Sequence, residues 1–133
     1  MASRSSDDSG SQRARKPEIR ERSFLFALRI IRLTRALGKD IASQTIARQL
    51  IRSGTSVGAN IEEAQGSHSR ADFARRMNIA RSEAREALYW LRLLDRSELV
   101  DSVRLQELLQ ESEEIVKILV AIVKTTRGKR VDA

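Results

Sequence analysis

Apolar residues recur along this chain at steps of three and four, the spacing that lines one face of an α-helix. The clearest run is Phe73, Met77, Ala80, Ala84, Ala87, Leu91 and Leu94, which alternates the two step lengths without a miss. It predicts a helix from about Ser69 to Arg96, with Ser69 as N-cap and Asp72 three residues on in a capping-box position. A second run, Ile46, Leu50, Val57, Ile61 and Ala64, predicts a helix over roughly 41–65, with Asp40 as its N-cap. Ser53 fills the missing turn of that run. The stretch Ser53-Gly54-Thr55-Ser56 and Gly58 are weak helix formers. The apolar phase nevertheless continues through them, and phase is the stronger signal.

The two outer helices are read in the same way. Residues 18–37 form the first, with Phe24, Leu28 and Ile31 turned inward and Leu33 and Leu37 on an adjoining stripe. Pro17 stands where a first turn tolerates proline, and Gly38 is placed to end the helix in a left-handed cap. Residues 102–126 form the last, with Leu105, Leu108, Ile115, Leu119 and Ile122 inward. Helices of similar length joined by short loops favour antiparallel neighbours. The expected fold is therefore all-α, an antiparallel up-down-up-down four-helix bundle over residues 18–127. Residues 1–17 and 128–133 lack apolar periodicity and are expected to be disordered basic tails.

Two features bear on assembly. Small residues at Ala80, Ala84 and Ala87 in the third helix, and at Ser53, Gly54 and Gly58 in the second, predict close approach of these two helices. Ile79, Trp90 and Leu93 form a second apolar stripe on the third helix. Together with Phe26, Ile30, Leu109, Val116 and Val123 they exceed what one bundle core absorbs. Ile79, Trp90 and Leu93 are accordingly read as an oligomer interface.

Composition removes most catalytic readings. The chain contains no cysteine and one histidine, His68. A disulfide framework, a thiol nucleophile and a Cys–His or Ser–His–Asp arrangement are thereby excluded. A di-iron bundle needs Glu-x-x-His pairs, but the residue three before His68 is Gln65. A helical ribonuclease needs an arginine shortly before its histidine, and Ile61, Glu62 and Glu63 stand there instead. There is no Gly-rich phosphate loop. The reading is a non-enzyme with no cofactor and no metal site. No apolar stretch reaches the length of a membrane span, and a cytoplasmic protein without membrane contact is expected.

Ser53, Ser56, Asn60 and Glu63 lie along one side of the second helix. Facing Arg81 and Glu86 of the third, they are expected to form a partly buried polar network that fixes helix register; each member would need a partner there.

The formal net charge is +7, and arginine dominates the basic side. Arginine's planar fork suits phosphate and carboxylate alike. Arg22, Arg29, Arg32, Arg35 and Lys39 recur along the first helix, Arg48 and Arg52 form an i,i+4 pair on the second, and Arg75 and Arg76 open the third. The first seven are candidate nucleic-acid contacts. The alternative is a solvated face with salt bridges to Glu18, Glu21 and Asp40. No aromatic platform or helix-turn-helix pattern points to reading of base sequence.

The stretch from Arg52 to Ala64, containing Ser56-Val57-Gly58-Ala59-Asn60-Ile61-Glu62-Glu63, is followed by Ser69-Arg70-Ala71-Asp72-Phe73 and Ile79-Ala80-Arg81-Ser82-Glu83-Ala84-Arg85-Glu86. Together these resemble the bacterial four-helix bundle protein family. That family includes the proteins encoded in intervening sequences of 23S ribosomal RNA genes and the accessory variability protein of diversity-generating retroelements. The resemblance spans about residues 19–124. It implies a homopentameric, barrel-like ring. In the retroelement branch it implies binding to a reverse transcriptase and to RNA or DNA through basic surfaces. The motif residues are implied to be structural. The functional expectation is an oligomeric, non-enzymatic bundle that contacts nucleic acid beside a larger enzyme or ribonucleoprotein. The alternative is a homo-oligomeric scaffold with no nucleic-acid role.

Overall fold

The computed structural model describes residues 18–101 and 103–132, and among them it holds four α-helices and no strand. These are α1 (Ile19–Arg35), α2 (Ile41–Gln65), α3 (Arg70–Arg96) and α4 (Val103–Asp132). α1 packs on α2 and α4, and α3 packs on the same two helices. Each helix thus touches two neighbours, with short turns joining successive helices and the last packing back on the first, which is the antiparallel up-down-up-down bundle. Residues 1–17, expected to be a tail, lie outside the described residues.

Caps set the inner helix boundaries. The Asp40 carboxylate accepts from the Ser43 backbone N–H at 3.1 Å, and the Ser69 hydroxyl accepts from the Asp72 N–H at 3.0 Å. The expected left-handed cap at Gly38 is absent. α1 ends at Ala36 in a right-handed conformation, and no described glycine has positive φ. The left-handed position belongs instead to Glu98, with φ 59°, in the turn after α3. α4 also runs past Gly128 to Asp132, where a tail was expected. One glycine in a helix costs only about 1 kcal/mol, too little to end it at Gly128.

The core contains Leu50, Val57 and Ile61 from α2, and Met77, Ala80, Ala84, Ala87, Leu91 and Leu94 from α3. From α4 it takes Leu105, Leu108, Ile115, Leu119 and Val123. Phe73 packs against it partly buried, as does Ile122. Val123, expected as surplus, is therefore the inward residue of that turn.

α1 corrects the sequence reading most. Its buried face is Ser23, Phe26, Ile30 and Thr34, continued by Leu37. Phe24 is 62% exposed, and Ile31 also lies on the surface. The reason is local satisfaction of hydroxyls. The Ser23 Oγ donates to the Arg20 carbonyl and the Thr34 Oγ1 to the Ile31 carbonyl, so both side chains enter the core at little cost. Ser53 and Thr126 do the same through the carbonyls of Gln49 and Ile122.

The small residues of α2 also have a different partner from the expected one. A Cβ built on Gly54 would lie 3.1 Å from Ile30 Cγ1, and one on Gly58 would lie 3.3 Å from Ser23 Oγ. Both glycines therefore admit α1, not α3. α2 and α3 pack closely all the same, and Leu50, Val57 and the α3 alanines belong to the shared core.

Candidate nucleic-acid interface

Helix register decides which arginines are available to a ligand. Arg22 projects from α1 toward α4. Its Nε donates to Glu111 Oε2 at 2.9 Å, and its Nη2 donates to Glu111 Oε1 at 2.6 Å and Glu114 Oε1 at 2.7 Å. The side chain is only 14% exposed. The Glu111 carboxylate, then that of Glu114, holds the Arg22 guanidinium well above its ordinary pKa. Arg29 stands 3.9 Å from Glu107 of the same helix. On the other flank, Arg20 forms a two-pronged pair with Glu62 of α2 at 3.0 Å.

Arg52 crosses from α2 to α3, where it pairs with Glu83 and Glu86. Trp90 Nε1 donates to the same Glu86 carboxylate at 3.0 Å. The Arg52 guanidinium, then the Trp90 N–H, pulls the Glu86 carboxyl below its ordinary value. A carboxyl lowered on folding stabilises the fold above its unfolded pKa, near 4.5 here, and loses that contribution as pH falls through the lower folded value. Arg52→Gln should therefore lower Tm at pH 7, with the gap to the parent chain closing below about pH 4. Calorimetry across that range checks the sign, and a gap that widened in acid would refute it.

Of the seven sequence candidates, Arg22, Arg29 and Arg52 are thus held by carboxylates of their own fold. Arg32, Arg35, Lys39 and Arg48 remain exposed and, among the described residues, form no ion pair. The carboxylates come from α3 and α4, not from the expected Glu18, Glu21 and Asp40. Arg76, near the start of α3, is half-buried, and Arg75 pairs with Asp72.

The expected polar network between α2 and α3 does not form. Ser53 and Ser56 bond back to the carbonyls of Gln49 and Arg52, and Asn60 to that of Ser56. Glu63 is exposed, and Arg81 Nε donates to Asn78 on its own helix. Side chains this short reach an i−4 carbonyl more readily than a facing helix. Of the six expected network residues, Glu86 alone bonds across to the other helix, and its partner is Arg52, which also holds Glu83. Of the proposed interface residues, Ile79 and Trp90 are half-buried and Leu93 is on the surface.

A basic cluster lies where the sequence reading placed none. Arg81 and Arg85 of α3 face Lys124 and Arg127 of α4 across a groove of about 400 Å³, with Val120 and Val123 also lining it. Its signal in the sequence is the i,i+4 and i,i+3 spacing of these cations, together with a stretch of α4, residues 115–128, that contains no Asp or Glu.

The comparisons with known proteins agree with this architecture. The family model described as 23S rRNA-intervening sequence protein matches residues 15–121. The chain belongs to that family. It is similar to a crystal structure from Bacteroides thetaiotaomicron described as a protein with unknown function from the S23 ribosomal protein family. Identity is 42%, the match covers 80% of this chain and 95% of that one, and the TM-score is 0.73. No curated protein matches. The family match takes in α1, α2 and α3 whole and stops at Ala121, before Lys124 and Arg127 of the groove. Among the described residues no cluster of metal-ligating side chains occurs, and no helix is long and apolar enough to cross a membrane.

Proposed function

We propose that this member of the 23S rRNA-intervening sequence protein family is a non-catalytic, oligomeric binding protein whose ligand is the phosphodiester backbone of RNA or DNA. One observation carries the reading: the fold separates its charges. Among the described residues five arginines engage seven carboxylates in ion pairs, whereas Arg32, Arg35, Lys39 and Arg48 stand exposed and in none. Unpaired surface cations bind polyanions by releasing condensed counterions, without any need to read base edges. The absence of an aromatic platform accords with backbone contact.

Self-assembly is part of the proposal. Phe24, Leu25, Ile31 and Ile51 expose apolar area on α1 and α2, and the homopentamer implied by the family resemblance would repeat every basic face around a ring. Repetition multiplies weak phosphate contacts into useful avidity. A larger enzyme, such as a reverse transcriptase, is the kind of partner that such an accessory would serve.

Electrophoretic mobility shifts over a salt series test the ligand class. Binding at about 50 mM salt that weakens steeply toward 200 mM is expected. Absence of any shift at micromolar protein would overturn the reading. An assembled bundle that bound no oligonucleotide would be a scaffold instead. Light scattering tests the assembly, with a particle of five 15.0 kDa chains expected and a monomer contradicting it.

A further inference from the structure

At several helix–helix contacts of this bundle an arginine meets a carboxylate of the neighbouring helix. Arg20 has Glu62, Arg22 has Glu111 and Glu114, Arg29 has Glu107, and Arg52 has Glu83 and Glu86. The α3–α4 groove is different. Arg81, Arg85, Lys124 and Arg127 line it together, and among the described residues none of them is in an ion pair. The carboxylates nearest in sequence on α3, Glu83 and Glu86, are turned to Arg52 on α2. Arg81 is bonded through Nε to the neutral Asn78 side chain, which orients the guanidinium without cancelling its charge.

Four like charges gathered in one concavity repel each other in the free protein, and an anion relieves that repulsion on binding. The groove wall adds to the effect. Val123 is buried and Val120 half-exposed, so one side of the concavity is apolar and screens the cations less than open water does. Arg81 and Arg85 lie one helical turn apart, about 6 Å along α3, and so present two forks to consecutive points of an extended anion. Resting on the reading of nucleic-acid binding above, we infer that the α3–α4 groove is the principal seat of the phosphodiester backbone, ahead of the exposed cations Arg32, Arg35, Lys39 and Arg48. Arg81 and Arg85 lie within the family-matched span, and Lys124 and Arg127 lie past it.

The test compares two sets of variants by fluorescence anisotropy with a labelled RNA stem-loop and its DNA counterpart. One set is Arg81→Gln, Arg85→Gln, Lys124→Gln and Arg127→Gln combined; the other is Arg32→Gln, Arg35→Gln and Lys39→Gln combined. Glutamine keeps helix propensity, so thermal melting should be unchanged or slightly raised in the groove variant as repulsion is removed. The groove variant should lose at least about tenfold in affinity near 100 mM salt, with its salt slope reduced by about 3. The α1 variant should stay within about threefold of the parent chain, since it loses only peripheral charge. Arg81→Lys with Arg85→Lys should retain most binding. Full binding by the groove variant, with the parent chain binding, overturns this assignment and leaves the nucleic-acid reading standing. No binding by the parent chain overturns both. Groove-dependent binding of polyglutamate without RNA binding would identify an acidic protein partner and also overturn the inference.

Discussion

Truncating Phe26 to alanine is expected to cost about 3–5 kcal/mol of stability, whereas Phe24→Ala should change it by no more than about 0.5 kcal/mol. The two residues are neighbours but one by position, and both are phenylalanine. Phe26 is 1% exposed in the core and Phe24 is 62% exposed. Removing the buried ring costs its transfer energy and leaves a cavity in the core that a fully packed bundle closes poorly. Urea unfolding followed by the single tryptophan, Trp90, at fixed protein concentration measures the difference. A larger loss at Phe24 would mean that α1 presents the opposite face to the core.

Gly54→Val should be the second severe change, lowering stability by about 2–3 kcal/mol through overpacking. A Cβ alone at this position would sit 3.1 Å and 3.3 Å from the two γ-carbons of Ile30, which is fully buried and stiff at χ1. The helix-propensity gain from losing glycine is smaller than the cost of parting α1 from α2. Combining Gly54→Val with Ile30→Ala should cost clearly less than the sum of the single changes, because the new methyl groups fill the vacated space. Strict additivity in that cycle would show that the two positions are not in contact.

α2 and α3 were legible in the sequence because two independent signals coincide there. Asp40 and Ser69 mark the starts, and a three–four repeat, apolar throughout in α3 and interrupted in α2 only by Ser53, supports each interior. α1 was legible as a helix but not in its rotation. Ser23 and Thr34 hold core slots by bonding their own backbone, so a count of apolar residues favours the Phe24–Leu28–Ile31 face by default. The close approach at Gly54 and Gly58, which fixes the correct rotation, is a statement about two helices together, and a pattern along one helix does not contain it.

The charged surface was legible in its sum and not in its pairing. Arg22 and Arg32 are both arginines of α1 and equally charged in the sequence. One is clamped by two glutamates of α4, some ninety positions away in the chain, and the other is exposed. Arg52 looked like the partner of Arg48 and proved to be the partner of Glu83 and Glu86. Conversely, Arg81 and Arg85 on one helix, and Lys124 and Arg127 on another, become one site only when α3 and α4 are set in antiparallel register. Sign and amount of charge follow from composition, but the difference between a structural arginine and an available one follows from register.

Lysine footprinting with an amine-acylating reagent, read by mass spectrometry with and without an RNA stem-loop, addresses the matter most directly. Lys124 in the groove should be protected by the RNA, while Lys39 at the α1–α2 turn should react as before. Protection of Lys39 with Lys124 still reactive, or equal reactivity of both with RNA present, would contradict the account.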